Sequence, residues 1–444
     1  MLQGPLLLVL FIASIVFIIV MTAKVKMNAF LVLLLAAFGV GLLSGMEPVT
    51  VIRIITNGFG GILGYIGIVI IAGTIIGTVL EKTRATLTMA NTVLRFIGTA
   101  RAAMAMSITG AIVSISVFCD SGFVILSSLN KTLARKTGIP MGTMAVALST
   151  GLYATHTFVP PTPGPIGAAG NLHADLGLVI LFGLIISIPA VIAGYLWASR
   201  VGSRFDVAQA AEIAPVGDDT PLPGAVWAFA PVIVPILLIT LKSAADFPSH
   251  PFGEGKLLTF FDFFGDPTVA LLLGIFLAFR LIPSWKSEYI NGWVGEGLRS
   301  SATIIIITGA GGAFGAILKA TAIGDYISSS LAQYHLGIFL PFIIAAALKT
   351  AQGSTTVALI TTSALVYPIL ADLGLASDAA RALTVISIGA GGMIMSHAND
   401  SYFWVVSQFS GLDTTTAYKT HSLATLVQGI TSIICVFLLS LVVI

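Results

Sequence analysis

Two acidic residues stand in apolar stretches of the chain, where a charge is costly. Asp120 interrupts the segment Phe118-Cys-Asp-Ser-Gly-Phe-Val-Ile-Leu126, and Asp400 interrupts Ser396-His-Ala-Asn-Asp-Ser-Tyr-Phe-Trp404. Burying a carboxylate in a lipid bilayer costs about 2.5–3.5 kcal/mol on insertion scales, so each should face a polar cavity or a partner. Both are candidates for carrying a proton or for accepting a hydrogen bond from a ligand. A purely structural alternative is that Asp120 caps the helix that follows it.

A glycine-containing polar segment supplies groups of the opposite character. Gln352-Gly-Ser-Thr355 lies at the start of the apolar run Thr355–Leu370. Backbone NH groups at a helix N-terminus carry partial positive charge and suit a carboxylate, and neighbouring hydroxyls suit the hydroxyl groups of a sugar-like ligand. The alternative is an ordinary N-cap that faces water. The predicted NH and OH donors to a ligand are Ser121, Gly122, Gln352, Gly353, Ser354 and Thr355.

Two histidines complete the set of candidate ligand contacts. His397 and Asn399 lie beside the second carboxylate, whereas His156 and Thr157 precede the prolines Pro160, Pro161, Pro163 and Pro165. Proline removes backbone donors and forces its predecessor into extended geometry, so the stretch Ala154–Gly167 is predicted to be non-helical backbone that lines a cavity. Either histidine could bind a ligand carboxylate, relay protons, or only tie unwound backbone to nearby carbonyls.

The composition sets the class of protein in which these groups must be placed. Of the 444 residues, 57% are hydrophobic and 9% are charged, and the mean hydropathy is +1.02. Soluble domains carry roughly 25% charged residues, so the chain is predicted to be a polytopic membrane protein. The net charge of +2 is too small and dispersed to indicate a nucleic-acid partner. Cys119 and Cys435 both lie in apolar runs, so no disulfide framework and no cysteine metal site are expected.

Apolar runs recur along the chain and divide into two halves. The first run, Leu6–Met21, is predicted to be a membrane helix and not a cleaved signal peptide, because no basic residue precedes it. Several runs are shorter than the roughly 20 residues of a full span, which indicates half-helices or re-entrant hairpins. Acidic and proline residues concentrate at 200–223, so we expect a cytoplasmic linker there between transmembrane halves at 1–199 and 224–444. The loop Ser243–Asp266 is expected to lie outside.

Polar and glycine landmarks recur in the two halves at nearly constant spacing. The segment that starts at Ala72 aligns without gaps on the one that starts at Ala310, which is 238 residues later. Asp120-Ser-Gly122 similarly falls opposite Gln352-Gly-Ser354, and the two histidines also correspond. Basic residues flank the first copy more than the second, which indicates opposite orientations in the membrane. Such inverted repeats are typical of secondary transporters, in which the binding site lies where broken helices of both halves meet.

The four polar segments resemble those of the gluconate permease (GntP) family of bacterial proton-coupled symporters. The matching motifs are Cys119-Asp-Ser-Gly-Phe-Val-Ile-Leu126, His156-Thr-Phe-Val-Pro-Pro-Thr-Pro-Gly-Pro165, Ala351-Gln-Gly-Ser354 and Ser396-His-Ala-Asn-Asp400. The resemblance implies uptake of gluconate, related sugar acids, D-serine or short hydroxy acids across the bacterial inner membrane. It further implies a homodimer with a scaffold domain, a mobile transport domain, two re-entrant hairpins and an elevator-type motion.

The resulting hypothesis is an all-α inner-membrane transporter that takes up gluconate or a related small hydroxylated carboxylate together with a proton. Asp120 or Asp400 would titrate, and His156, His397 and Asn399 would orient the ligand. The alternatives within the same fold are a D-serine or hydroxybutyrate permease and a sodium-coupled carboxylate symporter. A channel and a membrane-embedded enzyme are the other classes, and the enzyme is disfavoured because no His-Glu-x-x-His element occurs. No metal and no cofactor besides the coupling ion are expected.

Overall fold

The apolar runs fold into helices throughout the part of the chain that the structure describes. This computed structural model describes residues 5–205, 221–245, 255–321, 337–397 and 400–444. The helices of the first half are α1 (Pro5–Ile19), α2 (Ala29–Leu43), α3 (Pro48–Lys82), α4 (Ala85–Ile97), α5 (Ala102–Val113), α6 (Cys119–Thr137), α7 (Met141–Phe158), α8 (Pro163–Leu172) and α9 (Leu176–Arg200). Those of the second half are α10 (Ala225–Ala245), α11 (Lys256–Phe264), α12 (Pro267–Phe279), α13 (Ser287–Ala320), α14 (Phe339–Gln352), α15 (Thr355–Val366), α16 (Asp378–Gly392), α17 (Ser401–Ser410), α18 (Thr414–Ala417) and α19 (Leu423–Val443).

The lengths of these helices agree with a membrane protein. Among the described residues, four helices are long and apolar enough to cross a membrane, and counting each of three bent pairs as one span gives up to seven. The four are Leu176–Arg204, Ala225–Ala245, Ser287–Ala320 and Thr414–Val443. The chain is therefore built as a polytopic, all-helical protein.

Helix starts follow from local capping chemistry. The side chain of Glu47 accepts hydrogen bonds from the backbone NH groups of Val49 and Thr50 at 3.1 and 2.8 Å, and Pro48 occupies the first helical position of α3. Asp175 caps α9 in the same way through the Leu178 NH at 2.7 Å. These side chains satisfy backbone donors that have no partner within the helix.

Glycines allow α3 and α13 to cross at close range. A β-carbon on Gly58 would lie 2.7 Å from Cβ of Ala316 and 2.8 Å from the Gly312 carbonyl oxygen. A β-carbon on Gly309 would lie 2.5 Å from the ring of Phe59. The glycine-rich part of α13 therefore serves helix packing, as small residues commonly do between membrane helices.

Two hairpins and two broken helices meet in the middle of the fold. In the hairpins, residues 114–118 join α5 to α6, and Gly353–Ser354 joins α14 to α15. In the broken helices, residues 159–162 separate α7 from α8, and α16 ends at Gly392 before α17 begins at Ser401. The segment after each break packs against a hairpin helix of the other half, because α8 contacts α15 and α17 contacts α6.

The structure corrects two predicted breaks. The stretch Ala154–Gly167 is non-helical only at 159–162, because Pro163 and Pro165 sit in the first turn of α8, where a missing NH costs nothing. Asp120, Ser121 and Gly122 do not interrupt a helix. They form the first turn of α6, and the preceding break at 114–118 contains no proline or glycine that would indicate it.

Two further differences concern the segments between the apolar runs. The predicted external loop Ser243–Asp266 contains α11, and the charged segment after α3 forms the amphipathic helix α4. Neither helix forms a continuous apolar run, so a search for apolar runs misses them. The linker predicted at 200–223 falls mostly on 206–220, outside the described residues.

Candidate functional site

A fully buried ion pair lies where the second hairpin meets the second broken helix. The Lys349 ammonium, at 0% exposure, lies 2.6 Å from Oδ2 of Asp400, which is 5% exposed. The same ammonium donates a hydrogen bond to the Gly353 carbonyl oxygen at 2.6 Å. A buried charge is tolerated only when it is paired and hydrogen-bonded, so each of these residues depends on the other.

The hairpin tip that carries this pair is shaped by its sequence. Gly353 ends α14 with φ of 85°, a left-handed conformation that favours glycine. Ser354 then caps α15, since its Oγ accepts a hydrogen bond from the Val357 NH at 3.3 Å. The predicted N-cap is therefore present. The tight turn also directs the Gly353 carbonyl toward Lys349.

The break before α17 holds the carboxylate of Asp400 from several sides. Asp400 caps α17, because its Oδ1 accepts from the Tyr402 NH at 3.1 Å. Its Oδ2 accepts from the Ser396 hydroxyl at 2.6 Å as well as from Lys349. Cationic and neutral donors surround the group, which is the environment of an ionised carboxylate.

A chain of hydrogen bonds extends from Asp400 to α7 through His421. Nε2 of His421 lies 3.2 Å from Oγ of Ser396, and Nδ1 lies 3.1 Å from Oγ of Ser149. Because the Ser396 hydroxyl already donates to Asp400, Nε2 must donate to Ser396. A neutral imidazole then accepts from Ser149 at Nδ1. The Ser149 hydroxyl also lies 3.1 Å from the Val146 carbonyl oxygen, so its one proton is shared between that oxygen and Nδ1 of His421.

The first hairpin contributes a second carboxylate, Asp120, which forms no ion pair with any described residue. Asp120 Oδ2 accepts from the Ser401 hydroxyl at 3.3 Å, while its buried Oδ1 has no hydrogen-bond partner among the described residues. Asp120 does not cap α6, because the N-cap position belongs to Phe118. The Ser121 side chain instead lies near the carboxylate of Glu81 at the end of α3.

Tight packing between the first hairpin and α7 leaves no room at Gly122. A β-carbon at Gly122 would lie 2.7 Å from Cδ2 of Leu152 on α7. Gly122 therefore brings the start of α6 against α7, the helix that carries His156.

His156 lies on the last turn of α7 and faces the same region. It is 5% exposed, its Nδ1 has no hydrogen-bond partner among the described residues, and the electrostatic influence of Asp400 and Lys349 reaches its ring. A buried polar atom of this kind can complete its hydrogen bonding with a ligand group or with water. Thr157, by contrast, donates to the Tyr153 and Ala154 carbonyls of its own helix at 3.2 Å.

The remaining predicted residues divide between the site and its support. Thr355 Oγ1 lies 2.6 Å from the Tyr153 hydroxyl, which joins the second hairpin to α7. His397 Nε2 lies 3.0 Å from the Thr350 carbonyl oxygen and must be the donor. His397 thus ties the backbone before α17 to a nearby carbonyl, which is the structural alternative for this histidine. Asn399 and the side chain of Gln352 lie outside the described residues.

Three participants were not identified from the sequence: Lys349, Tyr153 and His421. Lys349 is a single basic residue in the apolar helix α14, and in a membrane protein that is itself a signal of function. Tyr153 and His421 give no such signal. Tyr153 is one aromatic residue in an apolar helix, and His421 belongs to the polar π-helical turn Tyr418–Ser422, which reads as a connection between helices.

Comparison with known proteins identifies related permeases. Residues 6–442 match the family described as GntP family permease. A gluconate permease of Pseudomonas aeruginosa is 33% identical over 438 residues, which cover 97% of this chain and 96% of the relative. The D-serine transporter DsdX of Escherichia coli O6:H1 is 33% identical over 439 residues and 97% of both chains. The inner membrane permease YgbN of Escherichia coli K12 is 32% identical over 446 residues and 96% of both chains.

A solved structure shares the fold at low sequence identity. The crystal structure of the YdaH transporter of Alcanivorax borkumensis superposes with a TM-score of 0.65, covering 93% of this chain and 98% of that one at 14% identity. The full-length family match confirms the resemblance of the four polar motifs and excludes the enzyme alternative. The chain belongs to the GntP family of permeases, and it is a multi-pass transporter of the bacterial inner membrane.

Proposed function

We propose that this permease takes up gluconate or a related small hydroxylated carboxylate together with a proton. The observation that carries the proposal is the buried Lys349–Asp400 pair at the meeting point of the hairpins and broken helices. Relatives named for gluconate, D-serine and L-idonate all belong to the same family, and each of these compounds carries a carboxylate and at least one hydroxyl group.

The partnerless atoms indicate how such a ligand would be held. Oδ1 of Asp120 would accept a ligand hydroxyl, and Nδ1 of His156 would complete a bond to the same molecule. The NH groups at the tip of the second hairpin would face its carboxylate. The further proposed contacts from this tip and from the neighbouring segments are Ser121, Gly122, Thr157, Gln352, Gly353, Ser354, Thr355, His397 and Asn399.

Proton coupling follows if one carboxylate of the site must be neutral when the anion binds. A carboxylate next to an anionic ligand repels it unless a proton is present. We therefore expect an Asp120→Asn/Asp400→Asn double variant to lose the dependence of uptake on the pH gradient. The check is initial uptake at equal and unequal pH on the two sides of proteoliposomes. Full retention of the dependence would show that neither carboxylate is the proton carrier.

The architecture we propose is an inverted repeat with a mobile transport domain. Its support is the recurrence of elements: α8 begins at Pro163 and α17 begins 238 residues later at Ser401, and α3 and α13 end at Lys82 and Ala320 with the same spacing. Three of the four hairpin helices, α5, α14 and α15, have 12–14 residues and are about 18–21 Å long, which is short of a bilayer core of about 30 Å and agrees with re-entrant hairpins. The fourth, α6, has 19 residues and is about 28 Å long. The halves would be 1–199 and 224–444, joined by the linker 200–223.

An elevator motion predicts that fixing the second hairpin to α13 stops transport. The Lys319 ammonium of α13 lies 3.2 Å from the Tyr367 hydroxyl at the end of that hairpin. A Lys319→Cys/Tyr367→Cys pair bridged by a reducible thiol cross-linker should lose uptake and regain it after reduction. Each single-cysteine variant controls for reaction with Cys119 and Cys435. Undiminished uptake by the bridged protein would mean that these elements do not move past each other.

The experiment that tests the function is uptake by purified protein in proteoliposomes. Radiolabelled gluconate, D-serine and 3-hydroxybutyrate are compared under a pH gradient and under a sodium gradient. Accumulation of gluconate or 3-hydroxybutyrate driven by the pH gradient in sodium-free buffer is the expected result. Accumulation that requires sodium would show that sodium, and not the proton, is the coupling ion. If no compound accumulated, the proposal would be overturned.

The proposed homodimer is checked by native mass spectrometry, which should show twice the 46.1 kDa chain mass.

A further inference from the structure

Lys349 has a position in the site that proton coupling alone does not require. Its ammonium has three N–H donors, and the described contacts engage it with Gly353 O and Asp400 Oδ2, both at 2.6 Å. Lys349 lies in the last turn of the first helix of the hairpin whose tip would face a ligand carboxylate. Asp400 therefore occupies, as a carboxylate, a position that the carboxylate of a ligand would also seek.

Several ionisable groups surround this pair, so the exchange of one anion for another at Lys349 would change the electrostatic environment of the whole site. Asp120 on α6, His156 on α7 and His421 before α19 all lie within the electrostatic influence of both Asp400 and Lys349. The other ionisable groups facing Asp400 are Cys119 on α6, Tyr153 on α7 and Tyr402 on α17. Among these groups in the described part of the chain, Lys349 supplies the fixed positive charge.

We propose that Lys349 binds the carboxylate of the transported acid and that Asp400 is its counter-ion only while the site is empty. The incoming carboxylate takes the place of Asp400 at the ammonium, and Asp400 receives one proton on its carboxylate as it leaves. The idea rests on the proposed function, since it needs an anionic substrate and a coupled proton. Asp120 keeps the same charge in both states and accepts a hydroxyl of the ligand.

The exchange keeps the net charge of the buried site the same in both states. In the empty site, one ammonium balances one carboxylate. In the loaded site, the ammonium balances the carboxylate of the ligand, and Asp400 is uncharged. A ligand that arrives without the proton leaves one carboxylate unpaired in a low-dielectric environment, and such a state is strongly disfavoured. Coupling then results from charge balance at a single lysine.

This mechanism fixes the stoichiometry at one proton for each monoanion, so transport moves no net charge. A pH gradient of one unit should accumulate gluconate up to about tenfold. A membrane potential of about 120 mV, inside negative and without a pH gradient, should not accumulate it. If one net charge moved with each gluconate, the same potential would drive roughly 100-fold accumulation.

The first test uses the unaltered protein in proteoliposomes, with a potassium diffusion potential set by valinomycin and with gluconate and 3-hydroxybutyrate as probes. Accumulation by the pH gradient but not by the potential supports the exchange. Accumulation by the potential overturns the exchange and leaves proton symport intact. Failure of both acids to accumulate under either gradient overturns the exchange together with the proposed function. The two failures are therefore distinguishable.

Variants separate the two members of the pair. In Asp400→Asn, Lys349 is always available, so exchange of internal for external gluconate should continue while accumulation by the pH gradient falls below twofold. In Lys349→Gln, both activities should fall at least tenfold, because the ligand carboxylate has lost its partner. Equal loss of both activities in the two variants would indicate a merely structural pair, and retained pH-driven accumulation in Asp400→Asn would exclude Asp400 as the proton acceptor.

A matched control is present in the same chain. Lys82 Nζ lies 3.0 Å from Oε2 of Glu296 in an ion pair whose side chains are 38% and 43% exposed. Lys82→Gln should leave both exchange and accumulation within twofold of the unaltered protein, because an exposed pair contributes little. A loss in this control equal to that in Lys349→Gln would remove the special role of the buried pair.

Discussion

Replacing Lys349 by methionine is expected to lower the free energy of unfolding by about 3–5 kcal/mol, because the change leaves the carboxylate of Asp400 buried without its cation. The apolar replacement fits the volume of the lysine stem, so packing is largely kept and the loss comes from the unpaired charge. Thermal unfolding of the purified protein in detergent measures the effect as a lower midpoint.

The double variant Lys349→Met/Asp400→Asn shows whether charge is the cause. The carbonyl oxygen of the new amide can still accept from the Tyr402 NH or the Ser396 hydroxyl, which bond Asp400 at 3.1 and 2.6 Å. We expect the double variant to recover at least half of the stability that the single variant loses. Lys82→Met, at the exposed ion pair, should cost less than about 1 kcal/mol. A double variant as unstable as Lys349→Met would show that lost packing, and not the unpaired charge, is responsible.

The sequence predicts those features of the site that depend on local backbone chemistry. Consecutive prolines end α7, and Gly353 together with Ser354 forms the turn and the cap at the tip of the second hairpin. Each of these signals acts within a few residues, so it can be recognised without knowledge of the fold. The position of the hairpin tip follows from them, and so does the presence of a break after α7, although the predicted stretch Ala154–Gly167 is wider than the break at 159–162.

The contacts inside the site could not be predicted in this way, because they join distant parts of the chain. Lys349 and Asp400 are 51 residues apart, and Ser149 and His421 are 272 residues apart. Their pairing depends on how the second hairpin packs beside the break before α17 and on how α7 lies against the last helix. Neither arrangement leaves a pattern in one sequence.

Asp120 illustrates an intermediate case. Its burial is expected from the apolar residues around it, but its place in the first turn of α6 depends on a turn at 114–118. That turn is stabilised by the Ser114 hydroxyl, which donates to the Val117 carbonyl oxygen at 3.0 Å. The segment contains no proline or glycine, so the usual turn signals are missing. Backbone bonds such as that from the Val117 NH to the Val113 carbonyl oxygen at 3.2 Å add to this side-chain bond, and residue propensities do not capture such a turn.

The other large effect is expected at Gly151, where α5 and α7 make their closest contact. A β-carbon on Gly151 would collide with the Ser107 carbonyl oxygen, and one on Gly110 would lie 2.7 Å from the Leu152 backbone nitrogen. The colliding atoms are backbone atoms, so the two helices would have to separate. Gly151→Ala should therefore destabilise the protein by about 1–3 kcal/mol, and Gly151→Val should destabilise it more.

Separation of these helices should also damage transport, because α7 carries Tyr153 and His156 and α5 leads to the hairpin turn that precedes Asp120. We expect Gly151→Val to lower the unfolding midpoint and to reduce uptake at least tenfold in proteoliposomes that contain equal amounts of protein.

Gly39→Ala on α2 is the matched control, since a β-carbon there would meet no atom within 4 Å. Alanine favours a helix over glycine by up to about 1 kcal/mol, so this control should be neutral or slightly stabilising. Normal stability and uptake in Gly151→Val would mean that α5 and α7 do not need their close contact, and that the geometry of the site is set by the hairpin tips alone.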